Sequence, residues 1–265
     1  NKNGSGKMKV LFVDDDDDVR KQAKMFLEEK NEDLELDISG SYRDAINKLN
    51  KNDFDAIVTD YHMPKKNGIH LLKYKNEKDI DLPFILFTGK GEEKVAMEAL
   101  NQGADRYVIK EEPVSKMYTI LARAIKREVE RKTLERDLNR SYKLIQKTLD
   151  SLPTAVVILD GDGDIIRKND AWSNLAEINF MVSDHGVGEN YFEIIKSTVN
   201  ESSEEVKEAY DGLMALKDDK EDVFSMEYTL TDKKNKKKYL MRGTKFYLGS
   251  KEFLVISHLD ITKEN

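Results

Sequence analysis

Five short apolar runs, each followed by a stretch whose apolar residues recur at helical spacing, leave few folds open to the first half of this chain. They are residues 9–13, 34–38, 56–59, 84–87 and 106–109. Runs of this length bounded by turn residues read as buried strands. Between the first two, Val19, Ala23, Phe26 and Leu27 share one helical face, and after the second come Ala45, Ile46 and Leu49. Ser41 is placed to cap that second helix, and Pro113 to begin the fifth. Alternating strands and helices build a doubly wound parallel sheet, an α/β class. The crossovers are right-handed, so every strand ends on the same edge.

That edge collects the chain's reactive residues. Asp14 and Asp15 follow the first strand, Asp60 the third, Thr88 the fourth and Lys110 the fifth. A spatial order of two, one, three, four, five puts the first and third strands at the topological switch, where α/β sheets bind ligands. Three clustered carboxylates repel one another unless a cation sits among them, and hard oxygen donors select Mg²⁺ or a similar ion. Asp60, followed by a loop with Pro64 and Gly68, is then a candidate nucleophile toward a phosphoryl group. The Lys110 ammonium and the Thr88 hydroxyl are candidates to neutralise the transferred oxygens. Asp16, Asp17 and Asp18 read as a solvated helix start.

Residues 8–127 resemble the receiver domain of two-component response regulators. Four separated signals carry the resemblance: Val13-Asp14-Asp15, Asp60-Tyr61-His62-Met63-Pro64 with Asn67-Gly68, Phe87-Thr88-Gly89, and Tyr107-Val108-Ile109-Lys110. The resemblance implies a flavodoxin-like (βα)5 fold and a phosphoacceptor at Asp60. It also implies Mg²⁺ held by Asp15, Asp60 and the His62 backbone carbonyl, with Asp14 acting through water. Thr88 would move toward the phosphoryl group and Tyr107 would change rotamer with it. A sensor histidine kinase or other phosphodonor is the implied partner. One departure stands out: Glu111-Glu112 intervene between Lys110 and Pro113, where the family usually has proline directly after the lysine. Asp14-x-Asp16 also resembles the nucleophile motif of haloacid-dehalogenase-type phosphatases, but that reading leaves the Asp60 loop unexplained and lacks a further acidic pair downstream.

From Pro113 to Pro153 no proline or glycine interrupts the chain. Val114, Met117, Leu121 and Ala124 step at three- and four-residue intervals, through a polar middle of Glu128, Arg131 and Glu135, to Leu138, Tyr142, Ile145, Leu149 and Leu152. This heptad frame predicts a connecting helix over 113–150 that pairs with a second copy as a coiled coil.

The second half reads as strand, strand, a helix-rich insert and three longer strands. Residues 149–263 resemble a PAS domain, an α+β fold with a five-stranded antiparallel sheet. The resemblance rests on Leu152-Pro153-Thr154-Ala155-Val156, Asn169-Asp170-Ala171-Trp172 and Asp260-Ile261-Thr262. A ligand for it is not legible. With no cysteine in the chain, flavin-adduct chemistry is excluded. Haem would need an axial ligand such as His185 or His258, although an ordinary structural histidine is the plainer reading. The acidic tip from Asp160 to Asp164 lacks EF-hand spacing and reads as a turn, and the run from Lys233 to Lys238 as a solvated turn.

At 265 residues the chain suits two domains. It has no cysteine, and no apolar run near the ~20 residues a membrane span needs, so a cytoplasmic setting without a membrane is expected. The first methionine is Met8, and the residues before it are set aside. A net charge of −7 argues against general nucleic-acid binding, and no DNA-binding motif is visible. The expected protein is a two-component signalling protein of phosphorelay type. Phosphoryl transfer to Asp60 would be coupled through the helix to the PAS-like domain. The alternative is a PAS-centred ligand-sensing or dimerisation scaffold, such as the front of a hybrid histidine kinase, with a receiver that does not phosphorylate.

Overall fold

The computed structural model describes residues 6–111, 113–178, 186–199, 204–232 and 235–262. It divides into two compact units, 1–139 and 140–265.

In the first unit the apolar runs form β1 (Met8–Val13), β2 (Leu34–Ser39), β3 (Ala56–Asp60), β4 (Phe84–Thr88) and β5 (Arg106–Ile109). They pair in parallel in the order β2-β1-β3-β4-β5, the flavodoxin-like arrangement expected. Between them run α1 (Asp17–Glu29), α2 (Tyr42–Leu49), α3 (Gly68–Glu77) and α4 (Glu93–Asn101), and α5 (Val114–Asp150) follows β5. Because strand side chains alternate between faces, one run feeds two cores. Val10, Phe12, Val58, Ile85 and Phe87 join α1 and α5 on one side. Leu11, Val13, Ile57, Phe84 and Leu86 join α2, α3 and α4 on the other. Full burial of such a side chain stabilises the fold by about 1.5–3 kcal/mol.

Local signals place the helices. Ser41 accepts from the Asp44 N–H at 3.2 Å, capping α2 as expected. Pro113 stands one position outside α5 rather than inside it. Its carbonyl accepts the first helical bonds, from Lys116 at 2.9 Å and Met117 at 3.2 Å, so the proline occupies the cap position.

The connecting helix also departs from expectation. The first stretch of the heptad frame is not a seam awaiting a partner: Met117, Leu121 and Ala124 are buried in the core of the first unit, with Val114 packed against it. Nor is the polar middle an open stretch of seam. Glu128, only 3% exposed, accepts from Arg106 Nε at 2.7 Å and Arg131 Nε at 2.9 Å. Arg131 also pairs with Asp105 and with Glu135. Lys132 and Arg136 both reach Asp81. Burial pushes the Glu128 carboxyl up, but hydrogen bonds from Arg131 and Arg106 overcome it and hold it below the usual carboxylate range. These polar residues sit at heptad spacing because they tie the helix to its own domain. Beyond them Leu138, Tyr142, Leu144 and Ile145 are exposed.

The second unit holds β6 (Ala155–Asp160), β7 (Ile165–Lys168), β8 (Val223–Asp232), β9 (Asn235–Leu248) and β10 (Lys251–Asp260), with α6 (Asp170–Ile178), α7 (Tyr191–Val199) and α8 (Glu204–Lys217) between the second and third strands. All pairs are antiparallel, in the order β7-β6-β10-β9-β8. Trp172, Leu175, Tyr191, Ile195, Leu213 and Leu216 from the helices pack on Val157, Tyr228, Met241, Leu254 and Ile256 from the strands. A Cβ at Gly243 would lie 2.8 Å from the Leu213 side chain, so α8 seats on β9 only because the strand has a gap there.

Asn169, 2% exposed, satisfies all of its amide capacity. Its oxygen accepts from Val156 N at 2.9 Å and Trp172 N at 3.0 Å, and its nitrogen donates to Leu149 O at 3.0 Å and Thr154 O at 2.9 Å. The end of α5, the start of β6 and the start of α6 meet on this one side chain. At the acidic tip, Asp160 Oδ1 accepts from the N–H groups of Asp162, Gly163 and Asp164, which makes it a plain turn. Asp260 and Thr262 close another, with Thr262 N donating to Asp260 Oδ1 at 2.9 Å and Lys238 N to Thr262 Oγ1 at 2.9 Å.

His185, Lys233 and Glu112 lie outside the described residues. His258 is a core residue, with its Nδ1 2.7 Å from the Tyr228 hydroxyl and its ring beside Trp172. Burial pushes its pKa down to about 3 from the ordinary 6.5. Between those values the unfolded chain binds a proton that the folded one refuses. The contribution is therefore whole above the unfolded pKa and falls by about 1.4 kcal/mol per pH unit as the solution is acidified. Trp172, the chain's one tryptophan, reports on this unit by its fluorescence. Chemical unfolding followed at Trp172 is expected to lose stability with that slope between about pH 6 and about pH 4.5, with the slope absent in His258→Gln. Equal slopes in the two proteins would show that His258 does not titrate on unfolding.

Candidate functional site

Each candidate side chain reaches the sheet's C-terminal edge for a local reason. Asp14 follows Val13, the last residue of β1, and its N–H bonds Ser39 O at 3.0 Å. Asp60 ends β3 beside Phe87 of β4. Thr88 ends β4 beside Ile109, and Lys110 N donates to Thr88 O at 2.7 Å, fixing where the lysine side chain departs. Gly68 begins α3 immediately beneath this edge. A Cβ there would lie 2.5 Å from the Asp60 carbonyl oxygen, an approach open to glycine alone. Asn67 caps the same helix reciprocally with His70, which sets the loop after Asp60.

The acidic run divides its tasks. Asp14 is buried, with Oδ1 accepting from Asp16 N at 3.0 Å. Asp16 is the cap of α1, accepting from Asp18 N and Val19 N. Asp17 pairs with Arg20 and Lys21 on the surface. Asp15 is exposed.

Lys110 organises the centre. Its ammonium lies 2.6 Å from Asp60 Oδ1 and 2.8 Å from Asp14 Oδ2, above the Phe87 ring at 5.2 Å. Burial works against the Lys110 charge, but the hydrogen bonds and charges of Asp14 and Asp60 outweigh it and hold its pKa above the usual range. Asp60 is pushed up first by burial, with the Asp14 and Glu92 charges adding to it and Lys110 pulling the other way. One ammonium shared between two carboxylates does not fully compensate either. Asp60 is thereby a poorly solvated, incompletely neutralised carboxylate at the sheet's C-terminal edge.

Donor chemistry at this edge suits a hard divalent ion. Among the described residues no protein donor reaches Asp60 Oδ2 or the Asp15 carboxylate, and both are carboxylate oxygens of the kind Mg²⁺ takes. No three acidic or histidine side chains among the described residues form a ready metal cluster, and the Lys110 ammonium bonds both Asp14 and Asp60. The His62 ring, largely exposed, turns to the Glu92 carboxylate.

Sequence reasoning passed over Glu92. Its Oε2 accepts from the Thr88 hydroxyl and from Gly89 N at 3.1 Å, and its Oε1 faces His62 Nε2. The available signal was an acid at the N-cap of α4, four residues beyond Thr88, where its charge also suits the helix dipole. Tyr107 is 39% exposed and lines a surface groove with Leu100, Lys116 and Ile120.

Residues 10–122 match the family described as response regulator receiver domain. The chain is 32% identical over 139 residues to the transcriptional regulatory protein SrrA of Staphylococcus aureus, covering 52% of this chain and 55% of that protein. It spans about half the length of the curated relatives it matches. Among solved structures it is similar to the Francisella response regulator 1452 receiver domain, at 27% identity and TM-score 0.42 over 47% of this chain and 98% of that one. It is also similar to a two-component response regulator from Clostridium difficile, at 30% identity and TM-score 0.40 over 46% and 97%. Residues 10–122 are a response regulator receiver domain of two-component signalling.

Proposed function

We propose that Asp60 accepts a phosphoryl group from a histidine kinase or small phosphodonor, and that this switches the receiver. The observation that carries the reading is the Asp14–Lys110–Asp60 arrangement, which holds a half-compensated carboxylate beside a fixed ammonium. A carboxylate oxygen of Asp60 attacks phosphorus and the donor's bond to phosphorus breaks. The leaving group departs with its electron pair, and an acyl phosphate remains on Asp60. Lys110 is already in place to neutralise an oxygen of the incoming group. Asp15, Asp60 and the His62 carbonyl would hold Mg²⁺, with Asp14 acting through water. The ion, when bound, supplies charge neutralisation to the phosphoryl oxygens. Thr88 and Tyr107 would carry the change to the β5 and α4 surface.

The second unit is read as a PAS-like sensing or dimerisation domain. Its support is the antiparallel order β7-β6-β10-β9-β8 with helices inserted between the second and third strands. Leu138, Tyr142, Ile145 and Leu152 remain exposed at heptad spacing on and just beyond α5, which supports pairing with a second copy through that stretch. Among the described residues no helix is long and apolar enough to cross a membrane.

Incubation with acetyl phosphate and Mg²⁺, read by intact mass, is expected to add one phosphoryl group to the wild type. None is expected without Mg²⁺ or in Asp60→Asn, and Lys110→Met should slow uptake by about 10²-fold or more. Uptake by Asp60→Asn equal to wild type would overturn the assignment. Sedimentation of the wild type is expected to give a dimer that dissociates in Leu138→Glu with Ile145→Glu, whereas a monomeric wild type at about 50 μM, above a typical transient Kd, would remove the pairing.

A further inference from the structure

The Thr88 hydroxyl has a single proton to donate, and in this structure that proton goes to Glu92 Oε2. The same oxygen accepts from Gly89 N at 3.1 Å, while Oε1 is held by the His62 ring. Glu92 is thereby fastened at three points, on the strand end, the turn and the loop after Asp60. Thr88 is 1% exposed, so water does not compete for its hydroxyl. Glu92 stands at the N-cap position of α4, but its carboxylate is spent elsewhere. Glu92 makes no side-chain cap bond to α4, and its charge acts on Asp60.

We propose that Glu92 is a latch on Thr88. It holds the threonine hydroxyl away from Asp60 while that residue is unmodified and must release it before Thr88 can serve a phosphoryl group. Glu92 is therefore a positioning residue, acting through Thr88. A phosphoryl group on Asp60 offers Thr88 a charged acceptor in place of Glu92. It also brings further negative charge next to a carboxylate that already repels Asp60. The two acceptors exclude one another, because one hydroxyl proton serves one of them. Glu92 is the residue immediately before α4 (Glu93–Asn101), so its release frees the start of that helix at the moment of modification. His62 sets how firmly the latch is held, since its ring occupies the other carboxylate oxygen.

This proposal rests on Asp60 being the phosphoacceptor, and the test separates the two. Uptake rates from acetyl phosphate with Mg²⁺ are measured by intact mass in wild type, Glu92→Ala, Glu92→Gln, Thr88→Ala and the double variant Thr88→Ala/Glu92→Ala. Loss of a hydrogen bond to a charged acceptor corresponds to a change on the order of ten-fold. Glu92→Ala is therefore expected to be faster than wild type by that factor. Glu92→Gln, which keeps a neutral acceptor, should fall between them and guards against a folding defect in the alanine variant. In the Thr88→Ala background Glu92→Ala should give a clearly smaller acceleration, the part that comes from the Glu92 charge acting on Asp60. Wild-type uptake with no acceleration in either Glu92 variant would overturn the latch and leave the phosphoacceptor reading standing. Acceleration of the same size with and without Thr88 would also overturn it, leaving only repulsion between Glu92 and the donor. No uptake on Asp60 in any variant would overturn both.

Discussion

The Lys110 ammonium, shared between Asp14 and Asp60, is the interaction on which the first unit's site depends. Two carboxylates buried at adjacent strand ends would repel at this poorly solvated edge, and removing charges from water costs several kcal/mol per ion. A single cation drawn from β5 makes their proximity tolerable without neutralising both. The consequences spread through the edge: the parallel register fixes where each group emerges, and Gly68 lets α3 approach the Asp60 carbonyl. Phe87 lies beneath the ammonium and keeps it aimed. A buried charge pair is weak evidence for stability and better evidence for a task, because an apolar replacement would serve the fold as well.

Around that centre the molecule holds two kinds of polar fastening. One kind is fully matched and static. Asn169 uses all of its amide capacity to join three elements of the second unit, and Glu128 gathers two arginines against the receiver's edge. The other kind has competing partners. Thr88 and Glu92 share a proton that a new anion on Asp60 would claim, so their bond is an equilibrium rather than a fixture. Switching proteins need both kinds, since a change at one bond is transmitted only by surroundings that do not yield.

Much of this was legible from residue order. The five apolar runs are short and terminated by charge or turn residues, so strand, helix and strand order followed from pattern and handedness. That Asp14, Asp60, Thr88 and Lys110 share one edge was legible because each ends or directly follows a strand, where chain direction alone determines the edge it reaches. The connecting helix was harder. Met117, Leu121 and Ala124 have the same spacing whether they face a second chain or their own sheet, and periodicity does not name the partner. Glu128 and Arg131 read as a polar gap because their partners, Arg106 and Asp105, lie far away in sequence. Glu92 went unseen for a related reason: its meaning lies in contacts to a strand end and a distant loop, not in its neighbours. Pro113 fell one position from its expected place, within the ordinary uncertainty of a helix boundary.

The chemistry proposed for this edge is an acyl phosphate on Asp60. Borohydride reduction of the protein after treatment with a phosphodonor, followed by peptide sequencing in a mass spectrometer, reads that bond directly. An acyl phosphate is reduced to the corresponding alcohol, so position 60 should be recovered as homoserine in proportion to the modified fraction. Homoserine at position 14 or 15, or phosphate retained on a histidine or serine with position 60 still aspartate, would rule out Asp60 as the acceptor.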